Sequence, residues 1–349
     1  MGSRVIVNHQ KRDAATKQRI TAPGGTNRRK SLGDTGNHAT VRRVGAVQGK
    51  PPRAPVFAAQ NKVAAVKCSK PGNVRNKAGC GVPKESIVDI DRADVENPLA
   101  VTEYVEDICK FYKLAENTSG QLHGRYMDLQ FEITEYMRMV IVDWLIDIHL
   151  DFQLTPEVLY LAVQNFDRYL AMNLVVRKEE IQLIGITALF IAGKYEEVEA
   201  PRVDQFAETY STEQILAMEK SILVKFRWTL PFPNTYHFLV RFTKAALADK
   251  EMENMVFFLA ELGIMQYATL KYCPSMLAAS AVYAAQCTLK RTPLWSETLK
   301  LHTGYSEAQL IDCAKILVSF RTADQQLQAV FRKYSSCAQK LYLHQRMSS

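Results

Sequence analysis

A six-residue pattern occurs twice in this chain: Tyr210-Ser211-x-x-Gln214-Ile215 returns 95 residues later as Tyr305-Ser306-x-x-Gln309-Leu310. A second echo has nearly the same offset, Leu183-Ile184-Gly185 against Leu277-Ala278-Ala279, 94 residues on. Two echoes at one period imply two similar units of about a hundred residues each. Their character is helical. Met137, Val140, Ile141, Trp144, Leu145 and Ile148 recur at helical spacing, as do Val158, Leu159, Ala162, Phe166 and Leu170, and no stretch alternates at period two. Thr155-Pro156-Glu157 sets a cap, a first-turn proline and an acid in order, and Ser211-Thr212-Glu213-Gln214 reads as a capping box. The echoed small-residue segment is expected at the centre of each unit, because it is apolar all round and small side chains let neighbours approach.

The units do not extend to the amino terminus. Residues 1–88 hold 18 Lys and Arg against three acids, a net +15, whereas residues 89–349 hold 26 against 33, a net −7. The basic segment also has 10 of the 16 glycines and a single aromatic, Phe57. Such a composition cannot bury enough apolar surface to offset its ordering entropy, so it is expected to be disordered. The longest apolar stretch, 183–193, has 11 residues, short of the roughly 20 a membrane span needs. Without a secretory leader the chain is expected inside the cell, off the membrane, in nucleus and cytoplasm. Seven scattered cysteines lack any C-x-x-C pair, which points to reduced thiols and no zinc site.

Catalytic signatures are missing. The chain has no G-x-G-x-x-G, Walker loop, H-E-x-x-H, G-x-S-x-G or kinase H-R-D signature, and its histidines are dispersed. The expectation is a binding protein, not an enzyme, with no cofactor and no metal.

One helix has more apolar surface than a single buried stripe requires. Residues 137–148, MRMVIVDWLIDI, carry only Arg138, Asp143 and Asp147 as charges, so this helix must be central or must dock something on a second face. Met137-Arg138-x-x-Ile141-Val142-Asp143-Trp144-Leu145 resembles the opening motif of the cyclin box. Asn165-Phe166-Asp167-Arg168-Tyr169-Leu170 is similar to its second-helix motif, Gln182-Leu183-Ile184-Gly185 through Ala192-Gly193-Lys194-Tyr195-Glu196-Glu197 to its third, and Met218-Glu219 to its fifth. Pro274-Ser275-x-Leu277-Ala278-Ala279 resembles the matching helix of a second cyclin fold, and Asp91-x-x-Asp94-x-x-Asn97-Pro98 the lead-in of B-type mitotic cyclins, particularly plant ones.

The resemblance implies an all-α tandem cyclin fold of two five-helix bundles. Its expected parts are a disordered tail with a destruction box at 1–88, a lead-in at 89–130, an N-terminal box at 131–229 and a C-terminal box at 230–345. It implies a non-catalytic subunit that activates a cyclin-dependent protein kinase at the G2/M transition. Lys194 and Glu219 are then the residues that clamp backbone groups beside the kinase's regulatory helix; without the resemblance they read as a macrodipole-complementing cation and a solvated acid. Arg138 needs a partner, since an unpaired buried guanidinium is prohibitively costly, and the family pairs it with Asp167. Met137, Val140, Ile141 and Trp144 form one helix ridge. With Gln182 that ridge corresponds to the family's hydrophobic patch for substrates carrying an Arg-x-Leu motif, although each residue reads equally well as core.

In the tail, Arg29-Lys30-Ser31-Leu32-Gly33-Asp34-Thr35-Gly36-Asn37 resembles a destruction box, R-x-x-L-G-D-I-G-N, with Thr35 in place of isoleucine. The implied partner of Arg29, Leu32, Gly33, Asp34 and Asn37 is a ubiquitin ligase of the anaphase-promoting type, with ubiquitin-dependent proteolysis as the outcome. The clusters Lys11-Arg12, Arg28-Arg29-Lys30 and Arg42-Arg43 suit nuclear import. Tandem cyclin folds also occur in nucleic-acid-binding general transcription factors, but the acidic core argues against that alternative. Gly193 stands where similar cyclins have serine, and it is expected to loosen the helix end before Lys194, by up to about 1 kcal/mol.

Overall fold

The structure is a computed structural model that describes residues 87–119, 126–173, 175–207, 209–230, 232–320 and 328–347. The tail motifs, including Arg29, Leu32, Gly33, Asp34 and Asn37, lie outside those residues. Helices and turns are the only regular elements among the described residues. A lead-in with one helix, α1 (Val105–Ser119), precedes the first unit, which comprises α2 (Glu135–Asp151), α3 (Pro156–Met172), α4 (Ile181–Glu196) and α5 (Thr212–Lys225). A single 3-10 turn, Val203–Phe206, stands as the fourth of its five elements. The second unit comprises α6 (Thr235–Ala245), α7 (Lys250–Met265), α8 (Pro274–Thr288), α9 (Glu297–Thr303) and α10 (Glu307–Ser319). Two further helices follow, α11 (Ala329–Lys333) and α12 (Ser335–Met347).

The two echoed segments, in α4 and α8, are the central helices. Every residue from Ile184 to Gly193 is buried, as is the run Leu277–Val282. A methyl group on Gly185 would stand 2.8 Å from Ile141 Cγ2, so its missing side chain is what lets α4 lie directly on α2. Gly193 works likewise: a Cβ there would meet Pro201 Cγ at 2.8 Å, while α4 continues past it to Glu196. Gly193 makes room for the returning chain.

The Ser211 capping box closes in both directions: Ser211 N–H donates to Gln214 Oε1 at 2.9 Å and Gln214 N–H to Ser211 Oγ at 3.3 Å. At its echo Ser306 N–H donates to Gln309 Oε1 at 2.8 Å, and the serine hydroxyl donates to the same oxygen at 3.0 Å. Thr155 departs from its expected role. Although α3 begins just after it, its side chain makes no cap bond; its N–H instead donates to Glu197 Oε1 at 2.7 Å, and its carbonyl accepts from His149 Nε2 at 2.9 Å. Thr155 joins the ends of three segments through its backbone.

The charged pair expected between Arg138 and Asp167 ties the two units together. Arg138 is 0% exposed. Its Nε and Nη2 donate to the two Asp167 oxygens at 2.6 and 2.7 Å, the fork geometry of the strongest ion pairs. Nη1 and Nη2 also reach the carbonyls of Met265 and Ile264, at 2.8 and 2.9 Å. Those carbonyls close α7, where a cation also complements the helix dipole. Tyr126 Oη completes the set by donating to Asp167 Oδ1 at 2.7 Å.

Polar contacts also fasten both ends of the folded chain. Asp91 accepts from Arg241 at 2.6 Å and from Lys244 at 2.8 Å, and the Arg241 bond chiefly draws its carboxyl down to about 2. Glu116, buried on α1, accepts the backbone N–H and the hydroxyl of Ser275, serving as a borrowed cap for α8. At the other end α11 lies across α2: Asp143 Oδ1 accepts Ala329 N–H at 3.0 Å, and Arg332 pairs with Asp147 through both carboxylate oxygens. Lys333 and Tyr334 both donate to the fully buried Glu261, at 2.6 and 2.8 Å.

Asp167→Ala should lower unfolding free energy by about 3–5 kcal/mol in urea titrations, because it leaves the Arg138 charge buried without its counter-ion. A second expectation concerns pH. Burial pushes the Asp143 carboxyl up from 3.8 to about 6. The folded state therefore holds a proton that the unfolded chain releases between those values, and stability falls as pH rises through that window. Compared with Asp143→Asn, the wild type should lose up to about 3 kcal/mol between pH 4 and 7, read from denaturation midpoints across that range.

Candidate functional site

Lys194 and Glu219 meet at the junction of α4 and α5. The amphipathic spacing of α5 turns Ile215, Glu219 and Ile222 inward, and that brings Glu219 under the last turn of α4. Lys194 Nζ donates to Glu219 Oε1 at 2.7 Å, and the side chains are 44% and 11% exposed. An ammonium has three donors, and Glu219 takes one. Lys194 is thus partly exposed while Glu219 is buried beneath it, which leaves two ammonium donors open to a partner.

Aromatic packing holds the lysine stem. Phe190, one turn earlier on α4, lies 5.0 Å below Nζ by its ring centre. Phe206 meets Phe190 edge to face at 5.5 Å and Phe152 at 4.8 Å. Phe152 is thus a support for α4. Ile181 and the run Ile184–Leu189 are core. Close in sequence to the pair, Tyr195, Val198 and Leu216 are exposed apolar side chains, and the charged Lys220 is exposed beside Glu219. A charged donor and acceptor set among exposed apolar side chains can bind a partner's backbone carbonyl and N–H while the surrounding contacts exclude water.

The ridge on α2 is divided. Met137, Val140 and Trp144 are half-buried, whereas Ile141 is buried against Gly185. Gln182, half-buried, lies one turn before that glycine on α4. Met137, Val140 and Trp144 therefore combine an anchored base with an accessible edge, while Ile141 belongs to the core. Arg138 and Asp167, buried behind this ridge, take no part in the surface.

Several contributors carry no periodic signal in the sequence. Tyr126 lies in a 3-10 turn, yet it completes the ion pair and stacks edge-on with Tyr267 at 5.4 Å. Asp147 and Arg332 are 185 residues apart and meet through tertiary packing alone. Phe190 could have been found, since it stands four residues before Lys194 on one helix face.

Comparison with known proteins places these features. The model of the cyclin N-terminal domain matches residues 107–231 and that of the cyclin C-terminal domain residues 233–346. "G2/mitotic-specific cyclin-1" of Antirrhinum majus is 56% identical over 271 residues, covering 75% of this chain and 57% of the relative. "Cyclin-B1-2" of Arabidopsis thaliana is 50% identical over 270 residues, 75% of this chain and 60% of the relative. The chain thus spans about three fifths of the length of those relatives. "G2/mitotic-specific cyclin S13-7" of Glycine max is 56% identical over 235 residues, 66% of this chain and 90% of the relative. Among solved structures, a viral cyclin from herpesvirus saimiri aligns with a TM-score of 0.55 at 18% identity, over 65% of this chain and 99% of that one, a likeness of fold. With both domain models matched in order and one relative matched over nearly its whole length, the chain belongs to the cyclin family, in its B-type mitotic branch.

Proposed function

We propose that this chain is a regulatory subunit that binds and activates a cyclin-dependent protein kinase in mitotic control, without contributing a reacting group. The observation that carries this reading is the Lys194–Glu219 pair at the junction of α4 and α5, with the lysine partly exposed above a buried glutamate. In this role Lys194 donates to a backbone carbonyl and Glu219 accepts from a backbone N–H beside the kinase's regulatory helix. Held inward, that helix completes the Lys–Glu ion pair of the kinase and positions its activation loop, both of which phosphoryl transfer requires. The bundle acts by binding energy spread over a rigid face.

Met137, Val140, Trp144 and Gln182 would dock substrates with an Arg-x-Leu motif, the leucine against the accessible edge of the ridge. Removal would proceed through Arg29 and Leu32, which a ubiquitin ligase of the anaphase-promoting type would read in an extended peptide, with the basic clusters directing nuclear import. A nucleic-acid-binding role is less favoured, because residues 89–349 carry a net −7 and phosphate binding is driven by cationic surface.

Mixed with a monomeric cyclin-dependent kinase and a histone substrate, the wild type should stimulate phosphorylation. Lys194→Ala with Glu219→Ala should reduce that stimulation at least about tenfold, or about 1.4 kcal/mol, while its melting temperature stays within a few degrees. Full stimulation by the double variant would remove the clamp from the mechanism, and salt-sensitive DNA binding without kinase binding would favour the other role. In a cell-free extract that degrades mitotic regulators, Arg29→Ala with Leu32→Ala should lengthen the chain's half-life several-fold; an unchanged half-life would reject the destruction box.

A further inference from the structure

We propose that Arg332 is a built-in competitor at the acidic end of the α2 ridge, occupying the carboxylate that the arginine of an incoming Arg-x-Leu peptide needs; this rests on the docking role proposed for that ridge. The ridge formed by Met137, Val140 and Trp144 continues along the same helix face to Asp147, three residues beyond Trp144. In an extended peptide, two residues span about 7 Å, and one helical turn rises about 5.4 Å. A leucine seated near Trp144 therefore brings its arginine within reach of the acids that follow on α2.

Those acids are unequal. Asp143 is buried and committed to the backbone N–H of Ala329, where an incoming guanidinium cannot reach it without lifting α11. Asp151, at the helix end, lies a full turn farther on. Asp147 is 28% exposed, and Arg332 holds both of its oxygens, at 2.5 and 2.6 Å. Both contacts come from one nitrogen, Nη2, so a peptide arginine offering the two-nitrogen fork to the same oxygens would have to displace it.

Arg332 is also placed to let go. Its side chain is 59% exposed, and α11 is anchored without it: Ala329 is fixed to Asp143, and Lys333 and Tyr334 are fixed to Glu261. The guanidinium can swing into solvent while the helix carrying it stays in place. Because exposed ion pairs are weak, the competition should lower affinity a few-fold without blocking docking, and it should favour ligands whose arginine pairs better than Arg332 does.

The test measures binding of a fluorescent Arg-x-Leu peptide, and of its Ala-x-Leu counterpart, to the full chain by polarisation at low salt. Arg332→Ala and Arg332→Gln should each tighten binding of the arginine peptide about two- to fivefold and leave the alanine peptide unchanged, with a melting temperature near that of the wild type. Asp147→Asn should weaken the arginine peptide and abolish the effect of either Arg332 variant. Unchanged or weaker binding by both Arg332 variants, with Trp144→Ala still abolishing binding, would overturn the competition while leaving the docking ridge intact. Indifference of the peptide to Trp144→Ala would overturn both.

Discussion

A guanidinium with no exposed surface sets the terms for everything around it. Arg138 sits in the middle of α2, where its charge could not remain without a counter-ion and further acceptors. Asp167 supplies the charge from α3, the end of α7 supplies two carbonyls from the second unit, and Tyr126 supplies a hydroxyl from the lead-in. Three separate parts of the chain are thereby committed to one point. Directional bonds at that point also fix the rotation of α2 about its own axis, which apolar packing by itself leaves looser. Met137 and Val140, one and two residues from Arg138, therefore have a defined outward edge. A docking surface on this helix inherits its precision from an ion pair that no ligand touches.

The same economy recurs where the units meet the ends of the chain. Lead-in and C-terminal segments are too short to build cores of their own; they add side chains such as Ile90, Val330 and Leu341 to the core of the second unit and are further fixed through charge and backbone. Glu116 caps α8, Asp91 pins the lead-in to α6, and Asp143 caps α11. Asp143 remains close to a cost: its buried carboxylate accepts a backbone N–H, yet burial still raises its affinity for a proton. A contact of this kind orients α11 without contributing much at neutral pH, and α11 in turn carries Arg332 to the rim of the ridge. The clamp on the far end of α4 has the opposite character, since Lys194 stands on a column of Phe190, Phe206 and Phe152 and projects into solvent.

How much of this was legible depended on whether the cause is local. The capping box at Ser211 forms as its spacing requires, and the Ser306–Gln309 contact echoes half of it, because the interaction closes within one turn. Helix periodicity located α2, α3 and α4, and the small-residue echo located the two central helices. Thr155 misled, since a cap residue's side chain is only one possible partner and distant Glu197 and His149 engaged its backbone instead. Gly193 has a role that its local propensity does not show. Its helix propensity is a local property, whereas the contact that matters is with Pro201 on the chain returning from α4.

By itself the sequence determined the helical class and the duplication. These follow from periodicity, composition and short-range bonding, all of which are complete within a few residues. Only the tertiary structure decided which half of the α2 ridge is accessible, that Lys194 meets a buried Glu219 while itself partly exposed, and that Asp147 is already occupied by Arg332. Each of those depends on how two helices rotate and approach one another, a property settled by the joint packing of side chains far apart in sequence.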